Sequence, residues 1–339
     1  MTERRDVLAG FFFLASILFY LRAEAAPQQL NWRRASWGSY VLSLLAKATG
    51  VTLPALLLII DAYQFQRAPF DNAQRRVSRA NTLLNKIPYL IVAIPISIVA
   101  FVGQWHNGAM APLQAFDLRM RLAVWSHSTW FYLGKTLWPS NLSPLYPLPD
   151  PAALYRWPYP GYFLLMALTT FFLAYRARRY PGTAAAWGWY VLALFPVSGF
   201  FQSGGQLTAD RYSYFPCLAG AALCAGIMAH LLRLARARNY QTAVTALAMV
   251  GVFSLIPATR RQTRVWHDTF SLWTQVLKIS PNSVSAHNNL GAALAAAGHL
   301  PEAVIEFRRA LELDPNHYGA RQNLQKALGL LGQSAGHPS

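Results

Sequence analysis

The sequence predicts an all-α protein in two parts. A polytopic transmembrane helical bundle occupies residues 1–258, and a short α-solenoid of helical repeats occupies 265–333. Three observations lead there: eight apolar runs, basic residues confined to the loops between them, and a 34-residue period near the C-terminus. Hydrophobic residues make up 54% of the 339 positions and charged residues only 13%. A typical soluble domain carries about 25% charged residues, so a chain this apolar needs lipid around it. The net charge of +17 raises the question of nucleic acid. The basic residues, 25 of 30 of them Arg, sit in short loops between apolar runs, and no basic face continues along a soluble helix. That pattern excludes a nucleic-acid partner and points to membrane lipid.

The apolar runs are 7–21, 37–62, 87–102, 122–138, 159–175, 184–201, 214–232 and 242–257, giving about seven to eight membrane segments. Run 214–232, as a helix of 19 residues, covers about 28 Å, close to the hydrocarbon thickness. The shorter runs carry Gly and Pro and suit a crowded bundle. Between the runs lie Arg22/Arg33/Arg34, Arg75/Arg76/Arg79, Arg176/Arg178/Arg179 and Arg233/Arg236/Arg238. If every run spans once, these clusters scatter over both sides. If run 37–62 is broken at Lys47–Gly50 and 121–138 lies at the interface as an amphipathic helix with His127 and Lys135, all four clusters share one side. The loop charge then divides about two to one, as the positive-inside rule asks. The break also takes Lys47 out of mid-bilayer, where it would cost about 2.5–3.5 kcal/mol or more. Either topology puts both termini on the non-cytoplasmic side. Cys217 and Cys224 are two helical turns apart, beyond disulfide reach. No metal-ligand spacing is present.

Beyond residue 258 the chain turns polar. Pro281 and Pro315 are 34 residues apart. In a repeat over 284–317, Leu290, Gly291, Ala303, Phe307, Ala310 and Pro315 fall at positions 7, 8, 20, 24, 27 and 32. Small residues let two helices cross closely, an aromatic fills the gap, and Pro ends the second helix. This is the tetratricopeptide (TPR) pattern. Half repeats flank it over 268–280 and 319–331. A TPR region offers a surface to a protein or peptide partner.

The loop over 202–216 is the candidate site. It holds Gly204-Gly205, Gln206, Asp210, Arg211 and Tyr212 between two membrane runs. Glycine lets a ligand approach the backbone, and arginine binds phosphate through two parallel bonds. This loop is expected to line an outward-facing crevice. The alternative is that Asp210 and Arg211 pair with loop backbone and anchor the next helix.

The stretch from Ala209 to Pro216 after Gly204-Gly205-Gln206 resembles a loop of the transmembrane-and-TPR protein O-mannosyltransferase family and its bacterial relatives. So do Glu3-Arg4-Arg5-Asp6-Val7-Leu8, Ala46-Lys47 with Val51-Thr52-Leu53-Pro54 and Asp61, and Tyr132-Leu133-Gly134-Lys135 with Trp138-Pro139, Leu142 and Tyr146-Pro147. The blocks keep the family's order. The resemblance implies a GT-C-type fold and transfer of a hexose, mannose in the named family, from a polyprenyl-phosphate sugar, with no other cofactor. It implies a bacterial inner-membrane protein with its TPR region and N-terminus in the periplasm. Arg211 would bind the lipid phosphate, and Asp210, Gln206, Lys47 and Tyr212 would order the site. The family's catalytic Asp lies in a loop before the Glu3–Asp6 block, so the bundle is expected to be N-terminally incomplete, and no catalytic residue is assigned. The alternatives are a non-catalytic membrane-anchored TPR scaffold and, less well supported for want of an internal repeat of broken helices, a transporter.

Overall fold

The structure, a computed structural model, describes residues 3–26, 28–67, 82–106, 116–201, 206–234 and 238–335. Gly204-Gly205, the Arg75/Arg76/Arg79 cluster and Arg236 lie outside the described residues. The chain forms two compact units, the first made of Met1–Trp138, Pro149–Gly204 and Arg211–His230 and the second of the remaining segments.

In the first unit, α1 (Glu3–Ala25) and α2 (Leu30–Ala46) run side by side as a hairpin. Hydroxyls stitch them together. Ser16 Oγ donates to Ser36 O at 2.8 Å, Ser36 Oγ to Ser16 O at 2.7 Å, and Ser43 Oγ to Ala9 O at 2.8 Å. Small residues allow this approach, and each hydroxyl finds a carbonyl where water is absent. The expected break in run 37–62 is present. Helix α2 ends at Ala46, Lys47 is extended, a 3-10 turn covers Ala48–Thr52, and α3 runs Leu53–Arg67. Pro54 suits the start of α3, where its missing N–H has no intrahelical acceptor to lose. Gly50 allows a close approach: a Cβ there would stand 3.1 Å from Ser43 Oγ, which would have to give by a few tenths of an ångström.

Helices α4 (Ile87–His106), α5 (Leu118–Leu137), α6 (Tyr159–Tyr175), α7 (Pro181–Leu194) and α8 (Tyr214–Leu234) follow. Phe13, Tyr40, Leu53, Leu56, Leu57 and Leu194 form the centre of the core. Run 184–201 is not one helix. It ends at Leu194 and continues as a 3-10 turn, Phe195–Val197, because Pro196 cannot donate to a continuing helical ladder. Helix α5 buries Arg121, Ser126, Ser128 and Thr129 together with Ala123, Val124 and Tyr132. Ser128 Oγ donates to Ser198 O at 2.9 Å and Arg121 Nη1 to Phe200 O at 2.8 Å, holding the turn after α7.

In the second unit, β1 (Tyr146–Pro147) and β2 (Gln206–Thr208) pair antiparallel, with Tyr146 opposite Thr208. Helices α9 (Arg238–Ser254) and α10 (Ile256–Val265) are separated near Pro257. Helices α11 (Thr269–Ile279), α12 (Val284–Ala296), α13 (Leu300–Leu313) and α14 (Tyr318–Ala335) form the repeat region. Here α12 and α13 are the complete repeat, flanked by α11 and α14 as the expected half repeats. Ala303, Phe307 and Ala310 are buried, Leu290 is half-buried, and Pro315 is exposed after the end of α13. A Cβ on Gly291 would stand 2.8 Å from the Phe307 ring and 3.1 Å from Ala303 O, so only glycine fits that crossing.

Among the described residues, five helical segments are long and apolar enough to cross a membrane: Arg4–Ala25, Ala48–Gln66, Thr82–His106, Asp210–Leu234 and Asn239–Val265. Tyr159–Tyr175 is a shorter apolar helix. Two further apolar runs form α5 and α7, which are too polar or too short to meet that length and hydropathy.

Candidate functional site

A crevice in the first unit gathers the ends of four elements. Asp6 comes from the start of α1 and Thr49 from the 3-10 turn at the helix break. Ala193 and Val197 come from the end of α7 and the turn after it, and Arg211 and Tyr212 from the turn entering α8. The helix break places Thr49 there, since an unbroken helix through 40–60 would carry this position past on its regular turn. The α7 turn is held by α5 through the bonds from Ser128 and Arg121.

The electrostatics are mixed. The Lys47 ammonium donates to Asp6 Oδ1 in a close ion pair, with the Asp6 side chain only 7% exposed and Lys47 28%. The Arg211 guanidinium lies over the Tyr212 ring, 4.9 Å from its centroid. Its Nη2 also donates to the Tyr212 hydroxyl at 3.5 Å. Asp6 Oδ2 and Thr49 Oγ1 are buried and have no hydrogen-bond partner among the described residues.

The structure thus brings Arg211 and Tyr212 to one crevice and ties Lys47 to its wall. Asp210 and Gln206 belong to the second unit. Gln206 pairs across the ribbon with Pro147. The Tyr146 hydroxyl lies 3.2 Å from Asp210 Oδ1 and 2.9 Å from Asn141 O, and accepts the Ser143 N–H at 3.0 Å. Burial, and then the Asp210 charge, push the Tyr146 phenol above its ordinary value. Asp6 was legible in the sequence only as an acidic residue near a helix start.

A second polar cluster sits toward the other end of α1. Tyr20 Oη donates to Asp61 Oδ1 at 2.6 Å, and Lys86 Nζ lies 2.6 Å from both Asp61 Oδ2 and Tyr20 Oη. All three side chains are buried. Sequence reading singled out neither Tyr20 nor Lys86. The available signal was Asp61 inside apolar run 37–62 and Lys86 immediately before run 87–102, where a charge must find a partner.

Apolar spanning helices followed by an intact helical repeat define a polytopic α-helical membrane protein that carries a tetratricopeptide repeat. The family model described as Tetratricopeptide repeat matches residues 284–317. The chain is similar to Protein O-mannosyl-transferase Tmtc3 of Drosophila melanogaster, 22% identical over 97% of this chain and 40% of the relative. It is 21% identical to Protein O-mannosyl-transferase TMTC3 of Homo sapiens over 95% of this chain and 38% of the relative. Protein O-mannosyl-transferase F38B6.6 of Caenorhabditis elegans is 28% identical over 38% of this chain and 18% of the relative. These matches bear out the resemblance to the transmembrane-and-TPR O-mannosyltransferases. The chain spans about two-fifths of the length of the first of these relatives. No solved structure matches the chain.

Proposed function

We propose that this protein is a membrane component of protein O-glycosylation that binds a polyprenyl-phosphate sugar, with Arg211 as the main phosphate ligand. The observation carrying this is Arg211 in a crevice with its guanidinium stacked on Tyr212, beside the Lys47–Asp6 pair. A stacked, planar guanidinium suits a phosphate that carries two accessible oxygens. Lys47 supplies a second positive charge at the crevice wall. Residues 1–258 act as the GT-C-like membrane domain and 265–333 as the TPR region. The sequence expectation that the Arg-rich loops share one side supports a bacterial inner-membrane orientation with the TPR region and N-terminus in the periplasm. No residue of this chain is assigned as the base that activates the acceptor.

The test is binding of polyprenyl-phosphate mannose to the full chain in lipid nanodiscs. Arg211→Ala is expected to weaken binding tenfold or more, and Arg211→Lys to a smaller extent, since lysine keeps the charge but loses the fork. Unchanged binding in both variants makes Arg211 a topology anchor. A second reading, a non-catalytic membrane-anchored scaffold, is favoured by the intact close packing of Gly291 against Phe307 in the repeat. Under it, the wild-type chain binds no lipid-linked sugar.

A further inference from the structure

We infer that Asp6 and Thr49 form a hydroxyl-binding subsite in the Arg211 crevice, selective for a polyol over a bare phosphate. This inference rests on the phosphate reading of Arg211 and adds what the ligand carries next to its phosphate. Asp6 is 8% exposed, and its Oδ2 is buried without a hydrogen-bond partner among the described residues. The other carboxylate oxygen is taken by Lys47. Thr49 Oγ1, on the same crevice, is also buried without a partner among the described residues. The two groups do not bond each other. A buried polar atom left unbonded costs about 1–3 kcal/mol, so two on one small crevice mark a place where a third group belongs.

The chemistry of that third group follows from the inventory. A carboxylate oxygen whose twin bonds an ammonium asks for a donor. The threonine hydroxyl can both donate and accept. An alcohol O–H satisfies both, donating to Asp6 Oδ2 and accepting from Thr49 Oγ1. A phosphate does not, because its oxygens would face the carboxylate with like charge. Size agrees with a single hydroxyl: the free volume of the whole crevice is about 10 Å³, enough for one water-sized group and too small for a phosphate. A sugar hydroxyl fits there while the phosphate meets Arg211 outside that space.

The occupant could be a sugar hydroxyl or a resident water, and the experiment separates them. Binding of polyprenyl-phosphate mannose and of sugar-free polyprenyl phosphate is measured with the full chain in nanodiscs. Wild type is expected to bind the sugar-bearing lipid at least tenfold more tightly. Thr49→Val, which leaves the Asp6–Lys47 pair in place, is expected to remove most of that preference. It should leave affinity for the sugar-free lipid within about twofold. Arg211→Ala should weaken both lipids alike. Equal wild-type affinity for the two lipids, or a preference that survives in Thr49→Val, makes the occupant a structural water and overturns the subsite while the phosphate reading stands. Loss of both lipids equally in Thr49→Val also overturns it. No wild-type binding of either lipid overturns both readings.

Discussion

Lys47 and Asp6 are paired across the α1–α2 hairpin, and the pair sits at the break that separates α2 from α3. An unbroken helix would hold Lys47 in a ladder of apolar neighbours. Extending the backbone at this residue turns its side chain to a carboxylate and opens the turn that carries Thr49. Lys47→Met is therefore expected to destabilise the full chain in detergent. The loss should be about 1–3 kcal/mol, below the roughly 3–5 kcal/mol of a fully enclosed pair, because Lys47 still reaches water. Adding Asp6→Asn should restore most of the loss. A double variant no more stable than Lys47→Met, by thermal unfolding, contradicts this.

The Tyr20–Asp61–Lys86 cluster is more enclosed, and its members have no comparable access to water. Lys86→Met leaves the Asp61 carboxylate with the Tyr20 hydroxyl alone. We expect a loss of about 3–5 kcal/mol, large enough to reduce the amount of folded protein recovered from membranes. Recovery and melting equal to wild type would show that Asp61 is accommodated without its counter-charge.

Gly291→Ala should act locally. The new methyl meets the Phe307 ring at 2.8 Å and the Ala303 carbonyl at 3.1 Å, and the carbonyl cannot swing aside. The expected loss is about 1–3 kcal/mol, as for other overpacked cores. Hydrogen exchange of α12 and α13 in the full chain should rise, while α1 and α2 stay protected. Unchanged exchange in α12 would place the crossing further apart than the structure has it.

Asp268 caps α11, accepting the Ser271 N–H at 2.8 Å and its hydroxyl at 2.9 Å. Those bonds, the backbone one first, hold its carboxyl below the ordinary carboxylate value. The group is more acidic folded than unfolded, so its stabilisation is present above the ordinary value and lost as pH falls through the lowered one. Exchange of the first-turn amides of α11 should therefore accelerate below about pH 4. Asp268→Ala should remove that pH dependence. A wild-type profile flat to acid would show the cap contributes nothing.

Orientation has a direct assay. Alkaline phosphatase fused after Gly332 is expected to be active, with the TPR region outside the cytoplasm. An inactive enzyme together with an active cytoplasmic reporter at the same position reverses the assignment.

Much of the fold was legible in the sequence because its signals are local. Apolar runs report helices that face lipid or each other, and the spacing of Gly291, Ala303, Phe307 and Ala310 reports a helix crossing whose geometry repeats. The break at Lys47–Gly50 was legible for the same reason: a charge followed by Gly and Pro cannot continue a buried helix. Arg211 stood out by its chemistry. Other features depended on long-range placement. Asp6 and Lys47 are 41 residues apart, and Asp61 and Lys86 are 25 apart. Composition shows that each charge needs a partner, but not which one. Run 184–201 likewise looked continuous, whereas the turn after Leu194 is held by Ser128 and Arg121 from a helix some seventy residues earlier. The class of protein and its helical repeat follow from the sequence alone. Tertiary structure alone decided which buried charges pair and which polar atoms, Asp6 Oδ2 and Thr49 Oγ1, have no partner among the described residues, because partner choice in a low-dielectric interior depends on distances that no local pattern encodes.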